Sequence, residues 1–395
     1  MRRLPRGFAS LLAAQFFSAL ADNALLIVTI ALLEQRSLPG WWAPLLKVAF
    51  TAAYVLLAPV VGPLADAWRK GGLMAGMNGL KILGAATLLL GIHPVLAFAI
   101  VGIGAAAYAP AKYGLVTELV GASQLVAANG WLEVSVVCAV LLGTAVGGVL
   151  VSAAWLGWAG SLAASVAVVL GLYLLASLLN LGVPDSGARY PAASIRPLAL
   201  MRNFAGANRT LWRDREGGLS LAVTTLFWGV GATLQFAVLR WSSDVLGLSL
   251  DRAAYMQAAV AVGVIAGAAA AGRWVRLAQA QHMLVAGVAL GLMLPLVASV
   301  RDLWLATALL ALTGAIGGLL VVPLNALLQH RGCILLSAGR SVAVQGYNEN
   351  ASVLAMLAIY AGLLSMQVPI VPLMWALGLA VASGMALLMM RWRRR

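Results

Sequence analysis

Long apolar segments alternate with short polar connections over the whole chain. Most of these segments hold roughly 18 to 26 residues, the length of an α-helix that crosses a bilayer. We predict twelve such helices, six before and six after a polar stretch at 183–217. The predicted helices lie at about 9–33, 43–66, 72–92, 94–117, 130–153, 158–182, 219–241, 252–275, 282–300, 303–327, 340–364 and 368–390.

The composition indicates an all-α polytopic membrane protein. Of 395 residues, 63% are hydrophobic and only 10% are charged. A soluble protein of this size has too little interior to bury that much apolar surface. The net charge of +14 is spread over short connections between helices and forms no extended basic region. We therefore expect no nucleic-acid partner.

Lysine and arginine are distributed unequally between alternate connections. Twenty of them fall on the side that holds both termini and the 183–217 stretch, and five fall on the opposite side. Because positive residues accumulate on the cytoplasmic side of membrane proteins, both termini are predicted to be cytoplasmic. We expect 183–217 to be a solvated linker. The alternative is that its arginine-rich face contacts anionic lipid headgroups.

Short motifs recur at matching places in the two halves of the chain. Residues 129–133 (NGWLE) and 345–349 (QGYNE) lie 216 residues apart, and Pro110 and Pro323 lie 213 residues apart. Parallel repeats of this kind are typical of major facilitator transporters, whose substrate sites lie near the midplane between the halves. We predict this fold, with two pseudo-symmetric six-helix bundles. The first bundle comprises residues 1–182, the second comprises 218–395, and a cytoplasmic loop at 183–217 connects them.

Residues 62–70 (GPLADAWRK) resemble the cytoplasmic signature of the major facilitator superfamily, Gly-x-Leu-Ala-Asp followed by basic residues. The second glycine of that signature is absent and the basic pair is shifted. A carboxylate at a helix end can bind a helix N-terminus or a cation of the other half and hold one conformation. We predict that Asp66 and Arg69 are gating residues. The alternative is that Asp66 is an ordinary helix-end acid.

Four ionisable residues inside predicted spans stand out, namely Asp22, Lys112, Glu133 and Glu349. Such groups are costly in a bilayer, so they usually face a cavity or a partner and mark a transport pathway. We predict that all four bind substrate, together with Asn23 beside the deepest of them. The alternatives are that Lys112 extends to the cytoplasmic interface and that the glutamates cap or tie neighbouring helices.

Lys81 lies inside the third predicted helix, one turn after Asn78. We interpret Lys81 as a side chain that either extends to the interface or packs within its own bundle. The sequence contains no nucleophile–base pattern, no phosphate-binding glycine loop and no zinc spacing. We therefore predict a protein that is not an enzyme and needs no cofactor or metal. A membrane-embedded acyltransferase remains an alternative that lacks a base–nucleophile set.

Five longer stretches resemble the bacterial lysophospholipid transporter family of the major facilitator superfamily. They are FFSALADNALLIVTIALL (16–33), GAAAYAPAKYGLVTELV (104–120), VAANGWLEVS (126–135), VVPLNALLQHRG (321–332) and AVQGYNENAS (343–352). The resemblance implies a monomeric flippase-like carrier. It would move lysophosphatidylethanolamine and related lipids from the outer to the inner leaflet of the bacterial inner membrane. An acyltransferase/acyl-carrier-protein synthetase on the cytoplasmic side would then restore the second chain.

The resemblance also implies headgroup ligands. Asp22 and Glu349 are candidates for the substrate ammonium, and a cation with amides would hold its phosphate. Gln235 stands where the family commonly has an arginine, so either Gln235 is a neutral partner or Arg240 supplies a gating charge nearby. A proton-coupled exporter of amphipathic drugs on the same fold is the alternative function. The predicted substrate-binding residues are Asp22, Asn23, Lys112, Glu133, Gln235, Gln345, Asn348 and Glu349.

Overall fold

The computed structural model describes residues 5, 7–39, 41–188, 190 and 196–394. These residues form α-helices, two short 3₁₀ turns and connections, and this part of the chain contains no strand. The arginines at 2, 3, 6, 189 and 395, which entered the charge count, lie outside the described residues. The helices are α1 Phe8–Gln35, α2 Trp42–Leu56, α3 Ala58–Ala67, α4 Lys70–Leu89, α5 Pro94–Leu119, α6 Leu125–Leu150, α7 Ala153–Ala159, α8 Leu162–Leu181, α9 Pro197–Arg213, α10 Arg215–Leu246, α11 Leu250–Trp274, α12 Leu284–Ser299, α13 Leu303–Leu335, α14 Ala338–Ser365 and α15 Ile370–Arg394.

Ten helices of the described chain are long and apolar enough to cross a membrane, and α2 with α3 could form an eleventh span that bends by 64°. Pro59 at the start of α3 explains the bend, because proline removes a helical hydrogen bond and clashes with the preceding turn. The helix α14 is also long, but its polar first half lowers its mean hydropathy. The protein is thus a multi-pass membrane protein, while the count of twelve spans and the cytoplasmic termini stay predictions.

The chain folds into two compact units. The first comprises 1–121, 138–210 and 332–347, and the second comprises 122–137, 211–331 and 348–395. The helices α6, α9, α13 and α14 therefore have residues in both units. The predicted division at 183–217 stays a prediction.

Four glycines bring α11 and α13 into close contact within the second unit. A Cβ atom at Gly263 or Gly267 would overlap backbone atoms of α13, and one at Gly314 or Gly318 would overlap backbone atoms of α11. Each pair is spaced by four residues, so the two glycines share one face of the helix. Small residues at this spacing let two membrane helices approach each other's backbone.

The predicted solvated linker instead contains a helix, α9, and this corrects the prediction for 183–217. Hydrophobic side chains at Leu200, Phe204 and Leu211 recur at helical spacing on its inner face, and Leu211 is fully buried. This pattern was visible in the sequence but was obscured by the arginine, asparagine and glycine residues between them. Burial of the apolar face explains why a short helix is stable there.

The junction between α9 and α10 is fixed by Asp214. Its backbone is extended (ψ 140°), which ends α9, and its carboxylate accepts a hydrogen bond of 2.8 Å from the Gly217 N–H, which caps α10. Arg331 of α13 donates to the same carboxylate at 2.6 and 3.1 Å. These hydrogen bonds from Arg331 hold the pKa of the Asp214 carboxyl below its ordinary value.

We expect Asp214→Ala to lower the free energy of unfolding by about 1–3 kcal/mol, since it removes both a helix cap and an ion-pair partner. Asp214→Asn should lose less, because asparagine also caps helices. The measurement is thermal unfolding of the purified protein in detergent. Because the pKa of Asp214 is lowered in the folded state, its carboxylate stabilises the folded protein fully at pH values above its ordinary pKa of about 4. This stabilisation is lost as the pH falls through the pKa of the folded state. A wild-type advantage over Asp214→Asn that grows on acidification would contradict this account.

Candidate functional site

Asp22 lies near the middle of α1 and forms an ion pair with Lys81, which lies near the middle of α4. The Lys81 Nζ atom is 2.9 Å from Oδ1 and 2.8 Å from Oδ2 of the carboxylate. The hydroxyl of Tyr173, from the middle of α8, donates to Oδ1 at 2.7 Å. Three helices of the first unit thus meet at one polar layer about halfway along each helix.

The ammonium group of Lys81 has further partners around it. It donates to Ser18 Oγ at 3.0 Å, and Ser18 in turn donates to Asn78 Oδ1 at 2.7 Å. The rings of Tyr108 and Tyr173 lie with their centroids 5.4 and 5.6 Å from Nζ, within the range of cation–π attraction. The side chain of Lys81 is only 2% exposed. The expectation that Lys81 extends to the interface is therefore wrong, whereas packing within the first unit is confirmed.

Burial explains why these groups occur together. A buried charge without a partner is strongly destabilising, and a paired one persists only if its other polar atoms also find partners. Lys81 meets this condition through the Asp22 carboxylate, a hydroxyl and two aromatic rings. The ion pair thus makes the centre of the first unit polar while leaving it without net charge.

A glycine of α5 makes room for the Lys81 side chain. A Cβ atom at Gly104 would lie 2.8 Å from Lys81 Cγ and 2.8 Å from the Met77 carbonyl oxygen. Both distances are shorter than a real Cβ contact, so an alanine there would push α5 away from α4 or displace the lysine. The lysine stem is therefore held in place by backbone packing as well as by its hydrogen bonds.

Asp22 keeps some capacity to bind another group. An ionised carboxylate offers about four acceptor positions, and the contacts with Lys81 and Tyr173 use three. The Asp22 side chain is 16% exposed, in contrast to its lysine partner. The arrangement can accept one further hydrogen bond from a cationic or hydroxyl donor without separating the ion pair.

The other predicted ligands of the first unit are Asn23, Lys112 and Gln345. The Asn23 amide donates back to the Ala19 carbonyl of its own helix at 2.8 Å. Lys112 Nζ is 3.5 Å from Gln15 Oε1 and 4.2 Å from the centroid of the Tyr113 ring. Gln345 is buried. The binding roles of all three stay predictions.

The remaining predicted ligands, Glu133, Gln235, Asn348 and Glu349, belong to the second unit. Glu133 and Glu349 lie more than two turns inside α6 and α14, so neither caps the helix that contains it, and the alternative that they tie neighbouring helices stays a prediction. Asn348 Oδ1 accepts a hydrogen bond from the Trp212 indole at 3.1 Å. Gln235 is exposed, and its backbone carbonyl oxygen accepts a hydrogen bond of 2.6 Å from the Gln257 side-chain amide. Their substrate-binding roles stay predictions.

The predicted gating residue Asp66 contacts the start of α14 within the first unit. Its carboxylate accepts hydrogen bonds from Ser337 Oγ and, at 2.7 Å, from the Gly339 N–H, and Arg340 Nε lies 4.0 Å away. A Cβ at Gly339 would lie 2.7 Å from the Asp66 carboxylate, so only glycine allows this approach. A carboxylate against a helix N-terminus is electrostatically favourable. The gating role itself stays a prediction.

The other two predicted gating residues form exposed ion pairs. Arg69 binds Asp185 in the segment after α8 at 3.1 Å. Arg240 pairs with Asp244 one turn further along α10 at 3.2 Å. Ion pairs of this kind contribute at most about 1 kcal/mol to stability. Neither contact by itself indicates a gate, and both roles stay predictions.

Sequence reasoning missed several polar residues that the structure places together. Lys81 was considered but not assigned to the site, although Ser18 lies one turn before Asp22 and Asn78 one turn before Lys81. Polar pairs at this spacing on two apolar helices were the available signal. Asn129 and Gln329 were missed as a pair, and their amides exchange two hydrogen bonds of 2.9 and 3.0 Å within the second unit.

A comparison with family models identifies the class of protein. The model described as Major Facilitator Superfamily matches residues 11–332. The chain belongs to the major facilitator superfamily, a family of membrane transporters.

Curated relatives define the family more narrowly. The chain is 43% identical over 370 residues to the lysophospholipid transporter LplT of Yersinia pestis (strain Pestoides F), and the match covers 93% of this chain and 89% of the relative. The values are the same for the lysophospholipid transporter LplT of Yersinia pseudotuberculosis serotype I (strain IP32953). Within the superfamily, the chain belongs to the LplT family of lysophospholipid transporters. These relatives do not favour the alternative of a drug exporter.

Solved structures support the fold. The human organic anion transporter MFSD10 (TETRAN) matches with a TM-score of 0.77 and 14% identity, over 98% of this chain and 99% of that one. A bacterial homologue of the iron transporter ferroportin in an outward-facing state also gives 0.77 at 14% identity, over 99% and 100%. At this identity the likeness concerns the fold alone, and the predicted major facilitator fold is confirmed.

We expect Lys81→Met and Asp22→Asn each to lower the free energy of unfolding by about 3–5 kcal/mol, because each leaves a buried charge without its partner. The double variant Asp22→Asn/Lys81→Met should be more stable than either single variant, since no unpaired charge remains. Thermal unfolding of the four proteins in the same detergent measures this coupling. Losses that simply add in the double variant would show that the two side chains do not depend on each other.

Proposed function

We propose that this protein carries lysophospholipids from the outer to the inner leaflet of the bacterial inner membrane by alternating access. The main support is its identity of 43% with transporters named for this substrate class. The Asp22–Lys81 ion pair at mid-helix depth adds physical support, because a polar centre in an apolar bundle can receive a polar headgroup.

The ion pair suits a zwitterionic headgroup. Lys81 already balances the carboxylate, so a headgroup of zero net charge enters the site without leaving an unbalanced charge in the membrane interior. The substrate ammonium would bind the remaining acceptor position of Asp22. Its phosphate would bind Asn23, which follows Asp22 on α1, and Lys112 of α5, whose Nζ atom lies 3.5 Å from Gln15 Oε1 of α1. The single acyl chain would lie on apolar helix surface or extend sideways into lipid.

We further propose that residues from the second half of the chain take part in substrate binding. Glu349 would take part in binding the ammonium, and the amides of Asn348 and Gln345 would bind phosphate oxygens. We also include Glu133 and Gln235 in the proposed binding set. The neutral Gln235 would provide a hydrogen bond to the headgroup.

Alternating access requires contacts that hold one state and can be released. The contact of Asp66 with Ser337 and Gly339 is our candidate, since it joins the end of α3 to the start of α14. Arg69 and Arg240 are the other proposed gating residues. On the cytoplasmic side, an acyltransferase/acyl-carrier-protein synthetase would re-acylate the delivered lipid, and the carrier would work as a monomer.

We expect Asp22→Asn to reduce uptake of radiolabelled lysophosphatidylethanolamine into spheroplasts by about 10- to 100-fold at subsaturating substrate, the effect of losing one charge-assisted hydrogen bond of roughly 1.5–3 kcal/mol. Glu34→Gln is the matched control, because Glu34 is an exposed carboxylate on the same helix. Both variants are compared with wild type at equal membrane levels. Unchanged uptake by Asp22→Asn would remove Asp22 from the transport mechanism.

We expect Asp66→Asn to lower transport about 10-fold or more while leaving lysolipid binding to the purified protein within about 3-fold, because it weakens a charged contact at a helix N-terminus and no substrate ligand. Asp302→Asn is the control, since Asp302 is an exposed aspartate that accepts a hydrogen bond from the Leu305 N–H and belongs to no proposed gating contact. A parallel loss of binding and transport in Asp66→Asn would contradict a gating role.

A further inference from the structure

The helix α9 has two faces of different character. Its inner face packs against the first unit through Leu200 and Phe204, whose ring contacts the Tyr347 ring edge-on at a centroid distance of 5.2 Å. Its outer face carries three exposed large hydrophobic side chains, of which Trp212 also donates its indole N–H to Asn348 Oδ1 of α14. They are Leu198, Met201 and Trp212, with 80%, 62% and 41% exposure.

The exposed hydrophobic strip of α9 runs beside a strip of arginines. At 100° per residue, Leu198, Met201 and Trp212 fall within one third of the helix circumference. The arginines Arg202, Arg209 and Arg213 fall in the next sector, and all three are exposed. The helix contains no aspartate or glutamate. Within the part of the chain that the structure describes, none of these arginines forms an ion pair.

Neighbouring elements place α9 at a membrane surface. It ends one residue before α10, a helix that is long and apolar enough to cross a membrane. Asp214 at that junction is bound by Arg331, which lies near the end of a second such helix, α13. The C-terminal end of α9 therefore lies where two spanning helices end. An amphipathic helix at this depth buries its apolar strip at the boundary between headgroups and acyl chains.

We propose that α9 lies in the plane of the membrane surface and binds anionic phospholipid headgroups through Arg202, Arg209 and Arg213. Charge complementarity selects the occupant, because the arginine strip has no acidic neighbour on its helix and adjoins the apolar strip that enters the bilayer. Each arginine near an anionic surface strengthens binding by about 5-fold, so the three together contribute about 100-fold. The proposal does not depend on which substrate the protein carries.

The position of α9 gives this binding a consequence for the first unit. Phe204 and Asn203 line a crevice with Pro59 and Pro63 of α3 and Arg340 of α14. Anionic lipid bound along the outer face would press α9 onto the same two helices that the Asp66 contact joins. Lipid composition would then alter the stability of that part of the protein.

The first test measures membrane depth. Spin labels are attached at Met201→Cys or Gly206→Cys in a Cys138→Ser/Cys333→Ser background, and the full protein is placed in nanodiscs with 30% phosphatidylglycerol. We expect the label at 201 to be accessible to oxygen in the lipid phase. The label at 206 should be accessible to a water-soluble nickel complex, because Gly206 faces open space on another side of the helix. Equal water access at both positions would overturn the proposal.

The second test measures the role of charge. Phosphatidylglycerol is titrated into three detergent-solubilised proteins, and the rise in Tm is recorded. They are the wild type, the triple glutamine variant Arg202→Gln/Arg209→Gln/Arg213→Gln, and the triple variant with lysine at the same three positions. We expect the glutamine variant to need about 100-fold more lipid for the same rise, and the lysine variant to respond like wild type because it keeps the charge. A glutamine variant that responds like wild type would overturn the proposal. So would a label at 201 that becomes shielded only when a cytoplasmic protein binds.

Discussion

A carboxylate and an ammonium buried in an apolar bundle each depend on the other, and this dependence organises the first unit. A charged carboxylate in the middle of α1 is strongly destabilising without a cation beside it, and so is a lysine that is 2% exposed without the carboxylate, the Ser18 hydroxyl and two aromatic rings. The helices α1, α4 and α8 must therefore meet at one level. The same contacts leave Asp22 partly exposed, so the carboxylate that stabilises the bundle can accept one further hydrogen bond.

Polar contacts elsewhere in the chain follow a different rule from this central pair. Asn129 and Gln329 join their helices by neutral amides within the second unit, while Asp66 and Asp214 each bind the first N–H groups of a helix. The contacts of the two aspartates satisfy backbone N–H groups that every helix leaves unpaired at its start. The two aspartates hold helix ends in place without placing a charge deep in the membrane.

The sequence predicted the helices well because the length and apolar character of a spanning segment are local properties. It also identified Asp22 as a charged residue deep in a spanning helix, and it indicated a helix N-terminus as a possible contact of Asp66. It could not identify Lys81 as the partner of Asp22, because the two are 59 residues apart and only the packing of α1 on α4 and α8 brings them together. The pairing of Asn129 with Gln329 spans 200 residues. The helix α9 was missed because the polar residues of its outer face obscured a regular apolar pattern.

The glycine contacts between α11 and α13 carry a consequence for how this protein is dissected genetically. No polar chemistry takes place at Gly263, Gly267, Gly314 or Gly318, yet a single added methyl group there collides with a facing backbone. Substitutions at these four positions would abolish transport as fully as the loss of a headgroup ligand. A saturation mutagenesis screen that scores growth alone would therefore not distinguish residues needed for helix packing from residues that bind substrate. Measuring protein abundance together with transport activity would separate the two groups.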